Sequence, residues 1–203
     1  MQRRISQILL PLIYVLSIFL IVPVIGAAAP VAYKALRHFG GDFTLTDHHG
    51  QRFSLHDAKG KVVLIYFGFT SCADTCPLTL GDMATALRDL GPLAERVQPL
   101  FISVDPQRDT QEVLRQYLPY YHPSLLGLTG TQEEIMAVAE QYRAPVYIRK
   151  PDENGFYLVD HSSYVYVVGP EGDLANLIRF GTSSDNITRI VRGLLKTEDL
   201  PQS

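Results

Sequence analysis

The chain has 203 residues, 46% of them apolar, a formal net charge of -3 and a pI near 6.0. That is ample apolar material for one core, and without a lysine- or arginine-rich run nothing calls for a nucleic-acid partner. Two cysteines, Cys72 and Cys76, are too few for a disulfide scaffold, so their presence needs another explanation.

Arg3 and Arg4 precede a stretch with no charged residue until Lys34, almost wholly apolar from Ile8 to Ala29. About 22 such residues suffice to cross a bilayer core as a helix. Pro11 and Pro23 would kink that helix without forbidding it. The positive flank predicts a single-pass inner (cytoplasmic) membrane anchor with the following domain on the periplasmic, extracytoplasmic side. The alternative is a cleaved signal peptide with Ala27-Ala28-Ala29 at the cleavage site, although the apolar run is long for one. Either reading places the domain where disulfides persist. The expected organisation is an anchor or signal over 1–29, a tether over 30–41 ending in Gly40-Gly41, and one folded domain over 42–203.

Within the domain, 43–46 and 52–55 alternate around a turn at 48–51 and predict an outer hairpin. Val62-Val63-Leu64-Ile65-Tyr66-Phe67 predicts a buried strand. A polar loop carrying both cysteines follows, then a helix from Pro77 to about Leu90 with Leu78, Met83, Leu87 and Leu90 at roughly helical spacing. Gly91-Pro92 ends it. A second buried strand is expected over 100–104, closed by Asp105-Pro106. Asp109-x-x-Glu112 and Thr131-x-x-Glu134 are helix-start signals for helices over about 110–121 and 131–142, with a short strand at 125–128 between them. Strands at 164–168 and 174–180 flank the turn Gly169-Pro170-Glu171-Gly172, and a last helix spans 184–196. Strand, helix, strand, helix, hairpin and helix is a thioredoxin-like order in the α/β class, with a right-handed parallel first unit. Its loop chemistry sits at the carboxyl end of a strand, where open α/β sheets place ligands.

A cysteine pair with a three-residue spacer on a strand-to-helix loop has two uses. It closes a small disulfide, or it holds a soft metal ion such as Cu(I) or Zn. The positive end of the helix dipole favours at least one thiolate. Two sulfurs do not complete a site for Cu(II) or Zn, so a third ligand is expected, most simply a neutral imidazole. Among the six histidines, His38, His48 and His49 read as exposed tether or turn residues, with His48-His49 only a faint indication of a second metal site. His56 and His122 read as surface histidines at element ends. His161 differs, because Tyr157-Leu158-Val159-Asp160-His161-Ser162 leads into the strand at 164–168, whose start faces the cysteine loop in a thioredoxin-like fold. Asp105 is a candidate to tune the thiols or to hold an outer hydrogen bond, or is simply turn chemistry with Pro106. Asp160 is a candidate to orient His161, or merely a loop residue. Beyond the cysteines no catalytic residue stands out.

Several spaced motifs in this order carry a resemblance. They are Phe67-Gly68-Phe69-Thr70-x-Cys72-x-x-x-Cys76-Pro77, Phe101-Ile102-Ser103-Val104-Asp105-Pro106-x-Arg108-Asp109-Thr110, Leu128-Thr129-Gly130-Thr131 and Val159-Asp160-His161-Ser162. From about 41 to 196 the chain resembles the Sco/SenC family of membrane-tethered, thioredoxin-fold copper proteins that assist cytochrome c oxidase assembly. The resemblance implies Cys72, Cys76 and His161 as copper ligands for Cu(I) or Cu(II). It implies the copper-bearing oxidase subunit, with its binuclear copper centre, as client. Ala73 departs from the family, which often has proline there. The rival readings are a thiol-disulfide oxidoreductase acting on the client's cysteines through a redox-active Cys72–Cys76 disulfide, and a redox sensor. A peroxiredoxin-like peroxidase is disfavoured because neither cysteine has a distant resolving partner. The sequence leaves oligomeric state open.

Overall fold

A computed structural model of the protein describes residues 39–198. Thr44–Asp47 (β1) and Arg52–Ser54 (β2) form the expected antiparallel outer hairpin. Its turn is held by Asp47 Oδ1, which accepts the N–H groups of His49 and Gln51 at 2.8 Å each. Val62–Gly68 (β3) is buried at every position, as befits a strand covered on both faces. Thr75–Leu90 (α1) and Val97–Ser103 (β4) complete a parallel βαβ unit. Gln111–Tyr117 (α2), Leu126–Thr129 (β5) and Gln132–Gln141 (α3) follow. Val146–Ile148 (β6) and Val159–His161 (β7) form a small separate ribbon. Val165–Val168 (β8), Leu174–Ile178 (β9) and Ser184–Glu198 (α4) end the described chain.

The main sheet has seven strands in the order β2-β1-β5-β4-β3-β8-β9. β3, β4 and β5 run parallel, and the hairpins at both edges are antiparallel. Side chains alternate across this sheet into two cores. Val63, Ile65, Phe67, Leu100 and Ile102 face one, which also receives Ile135 and Tyr142. Val62, Leu64, Tyr66 and Phe101 face the other, which receives Leu80, Met83 and Leu87 of α1 and Ile187 and Val191 of α4. This is the mixed α/β, thioredoxin-like arrangement expected. No helix among the described residues is long and apolar enough to cross a membrane. The expected anchor at 1–29 and most of the tether lie outside the described residues.

Several boundaries differ for identifiable reasons. α1 starts two residues before Pro77, because proline is tolerated in a first turn whose N–H groups lack helical partners. Its buried stripe is Cys76, Leu80, Met83, Leu87 and Leu90, while Leu78 points outward with 56% exposure. α2 stops at Tyr117 and tightens into a 3-10 turn over Leu118–Tyr120, since Pro119 cannot donate to the helical ladder. Asp109 does not cap α2. Thr110 does, accepting the Val113 N–H at 3.3 Å. The Thr131/Glu134 capping box forms as expected. The β6–β7 ribbon has no counterpart in the expected elements: three residues per strand are too few to show an alternation.

Candidate metal centre

β3 ends at Gly68 deep in the sheet, and the chain turns through Phe69-Thr70-Ser71 before α1 begins. The turn is tied down by the Cys72 N–H to the Phe69 carbonyl at 3.2 Å and by the Val104 N–H to the Gly68 carbonyl at 2.8 Å. Cys72 stands just before the helix and is half-buried; Cys76 is in the first helical turn and fully buried. The N-cap residue Asp74 makes no side-chain cap bond. Instead the sulfur of Cys72 accepts the Cys76 N–H at 3.5 Å and lies 3.6 Å from Thr75 Oγ1.

His161 comes from the far end of β7. Its Nε2 is 3.4 Å from Cys76 Sγ, and the ligand atoms of Cys72, Cys76 and His161 all lie within 4.8 Å of one another. Its Nδ1 is 2.8 Å from the Ser162 carbonyl, which only accepts, so Nδ1 carries a proton and in the neutral ring Nε2 holds the lone pair. The ring edge packs on Phe69 and Tyr66, with centroids 5.5 and 6.0 Å away. His161 is half-buried rather than exposed, walled by aromatics on the inner side. Cys72 and His161 border an open cleft of about 460 Å³ whose rim includes Arg108, Phe156, Tyr157 and Leu158, with Cys76 buried behind them.

The two thiols differ. Burial works against ionisation of Cys72. The hydrogen-bond contact with the His161 ring, the N–H groups of Asp74 and Cys76 and the Thr75 hydroxyl outweigh it and bring the thiol down to about 6. Burial pushes Cys76 up to about 12, helped by the neighbouring Cys72 thiolate. Position explains the split: Cys72 precedes the helix at the cleft, whereas Cys76 sits on the core-facing stripe beneath Tyr66, whose hydroxyl approaches its sulfur at 3.7 Å. The protonated Cys76 thiol is thus placed to donate to His161 Nε2. Both cysteines are free thiols.

Of the two expected outer partners, Asp160 is corrected and Asp105 is placed away from the sulfurs. Asp160 does not orient His161: neighbouring side chains on a strand point to opposite faces, and Asp160 pairs with Arg149 on the exposed face, at 2.6 Å to Nη2 and 2.9 Å to Nε. The Ser162 carbonyl does the orienting. Asp105 is buried but bonds neither sulfur; it accepts from Tyr157 Oη at 2.6 Å and from Arg108 Nε. Sequence reading missed Asp109, taking it for a helix-start residue. It is fully buried and accepts from Thr70 N–H at 3.0 Å, Thr70 Oγ1 at 2.6 Å and Ser103 Oγ at 2.7 Å. The signal available was its charge beside a buried strand end, where an aspartate needs donors.

His48 is also corrected. It is 6% exposed, and its Nδ1 accepts the Gly127 N–H at 2.8 Å. Because Gly127 has no side chain, the ring can lie against the β5 backbone. Its ring pairs with that of exposed His49 at 4.1 Å. His56 is exposed and His122 bonds Ser124 locally, while His38 lies outside the described residues. Among the described residues, Cys72, Cys76 and His161 are the sole group that brings three such side chains to metal-ligating distance.

Residues 31–196 match the SCO1/SenC family model. The bovine mitochondrial protein SCO2 homolog is 42% identical over 154 residues, which cover 75% of this chain and 58% of that protein. The chain thus spans just over half the length of that relative. The structure of Bradyrhizobium japonicum ScoI with copper bound aligns with a TM-score of 0.72 and 34% identity, covering 77% of this chain and 99% of that one. BsSco, a member of the Sco family of cytochrome c oxidase assembly proteins in which a disulfide switch was identified, aligns with a TM-score of 0.62 and 27% identity, covering 79% of this chain and 95% of that one. With the family model matched over residues 31–196, the chain belongs to the SCO1/SenC family.

Proposed function

We propose that this protein is a copper metallochaperone for cytochrome c oxidase assembly, with Cys72, Cys76 and His161 as copper ligands. The carrying observation is the convergence of two sulfurs and an imidazole nitrogen within 4.8 Å at the edge of an open cleft. Thiolates and imidazole are the donor types copper prefers, and His161 Nε2 is available because Nδ1 is already used. Cys72 supplies a thiolate at neutral pH; Cys76 gives up its proton on binding. The cleft leaves Cys72 reachable, so the copper cargo passes to the client's copper-bearing subunit by exchange of one ligand at a time.

The 1–29 segment serves in this proposal as a membrane anchor and 30–41 as its tether, holding the 42–203 domain outside the cytoplasm within reach of a membrane-bound client. Its apolar length and positive flank support this. Recovery of the protein from the soluble fraction, or of a mature chain starting at Pro30, would remove it.

A second reading is favoured by the split between the thiols. Cys72 as thiolate attacks a client disulfide and forms a mixed disulfide; Cys76, once deprotonated, attacks Cys72 and releases the client dithiol. The client gains two electrons and this protein keeps a Cys72–Cys76 disulfide. Copper titration of the reduced protein, followed by copper spectroscopy, tests the first reading: one equivalent with sulfur and nitrogen ligation is expected, and no uptake leaves thiol exchange as the function.

A further inference from the structure

We propose that Asp105 and Asp109, the two carboxylates of the turn between β4 and α2, are positioning residues that together set the distance between the cysteine pair and His161. The proposal deepens the copper-site reading and rests on it for its purpose, though not for its geometry. Both side chains are buried, at 1% and 0% exposure. The turn is closed by the N–H groups of Arg108 and Asp109, which donate to the Asp105 carbonyl at 3.1 and 2.9 Å. Ser103 links the two residues, as its Oγ donates to Asp109 and accepts the Asp105 N–H at 3.1 Å.

Buried carboxylates are costly unless donors surround them. Besides Ser103 and Arg108, the donors come from the two segments that carry the ligands. Asp109 holds Thr70, two residues before Cys72, through both its N–H and its hydroxyl. Asp105 holds Tyr157, four residues before His161, through the tyrosine hydroxyl. Arg108 reinforces that arm: its Nε donates to Asp105, its Nη1 donates to the Tyr157 carbonyl at 3.3 Å, and its guanidinium lies 4.0 Å from the Tyr157 ring centroid. Tyr157 is half-buried between Phe156 and Leu158, which are 59% and 55% exposed. It is therefore the inward-turned residue of an outward-facing run.

The arm needs such a tie. His161 sits on the β6–β7 ribbon, outside the seven-stranded sheet, and that ribbon pairs over three residues only. A two-stranded ribbon of this length does not fix its own position. Downstream, Ser162 Oγ meets Tyr166 Oη at 2.9 Å, which holds the chain to β8. Upstream, the bond to Asp105 does the same from the turn that follows β4. One rigid turn thus grips the sulfur side with one carboxylate and the imidazole side with the other.

The test uses the full chain in reduced form, with Tyr157→Phe, Asp105→Asn and Thr70→Val. Tyr157→Phe keeps the ring against Arg108 and removes only the hydroxyl. Thr70→Val removes only the hydroxyl donor to Asp109. In the metal-free protein, the NMR cross-peak between the Phe69 and His161 rings reads the placement of His161. Tyr157→Phe and Asp105→Asn are expected to weaken it and to lower Cu(II) affinity by about 10–100-fold, the usual effect of losing an outer partner, with Cu(I) affinity within about twofold. Thr70→Val is expected to lower both affinities. If Tyr157→Phe and Asp105→Asn keep the cross-peak and both affinities, the positioning role is overturned. If the unaltered protein takes up no copper yet the variants lose the cross-peak, the positioning role stands and the copper reading falls.

Discussion

Cys76 Sγ and His161 Nε2 lie 3.4 Å apart although 85 residues of chain separate them. A protonated thiol facing an imidazole lone pair can exchange its proton for a metal ion, as the proposed function requires. Both partners are set by their own surroundings: the sulfur by burial on the core stripe of α1, the ring by the Ser162 carbonyl.

The first consequence concerns His161. Replacement by alanine is expected to spare the fold, since the ring is half-buried and its polar tie is to a local carbonyl. Cu(II) affinity should fall by more than the roughly 10–100-fold typical of an outer partner, and Cu(I) affinity far less, because two thiolates satisfy Cu(I). Paired Cu(I) and Cu(II) titrations check this. A His161→Ala protein that still loads oxidase fully while lacking Cu(II) binding would move the thiol-exchange reading ahead.

The thiols should titrate apart. Cys72 lies at about 6 against an ordinary thiol at 9.0, so its half-maximal alkylation rate is expected near pH 6. Cys76, pushed up to about 12, should resist until strongly alkaline pH. The sign for stability follows. A folded value below the unfolded one means Cys72 contributes fully above pH 9, and that contribution is lost as pH falls through 6. His161→Ala should move Cys72 upward, as the ring supports its thiolate. Identical alkylation profiles for the two cysteines would contradict this arrangement.

Metal uptake should be proton-linked. Between pH 6 and 12 Cys72 is already ionised and Cys76 is not, so binding through both sulfurs releases one thiol proton. Apparent Cu(I) affinity is then expected to rise about tenfold per pH unit between pH 7 and 9 from this group. Proton release measured in two weak buffers checks it.

Oxidation should close Cys72–Cys76 and block uptake, because a disulfide sulfur is a poor ligand. The sulfurs are already neighbours at the helix start, with the Cys76 N–H on Cys72 Sγ. Equal copper binding by oxidised and reduced protein would contradict the ligand assignment.

Gly68 offers a stability test. A Cβ there would lie 2.8 Å from Phe101 Cε2, 3.0 Å from Cys76 Sγ and 3.1 Å from Tyr66 Cε1, all in a packed core. Gly68→Ala is expected to cost about 1–3 kcal/mol in denaturant unfolding, the usual range for overpacking.

The residues by themselves determined a good deal. Val62 to Phe67 could only be a covered strand, Thr131 to Glu134 a helix start, and two lone cysteines before a helix a reactive loop. Each of these signals is local, carried by hydrophobic runs, caps and turn residues within a few positions. His161 was legible as a ligand candidate only through its place ahead of a strand and the family motif around it. The tertiary structure decided what depends on facing partners. It placed Cys76 on the inward stripe of α1 and Cys72 off it, and so separated two chemically identical thiols. It turned Asp160 outward and His161 inward, since strand neighbours alternate. It buried His48 against a glycine 79 residues away, and joined Asp109 to Thr70 and Asp105 to Tyr157. Hydrogen bonds across such separations leave no period in the sequence, because their partners meet only when strands of the sheet and the β6–β7 ribbon are brought side by side.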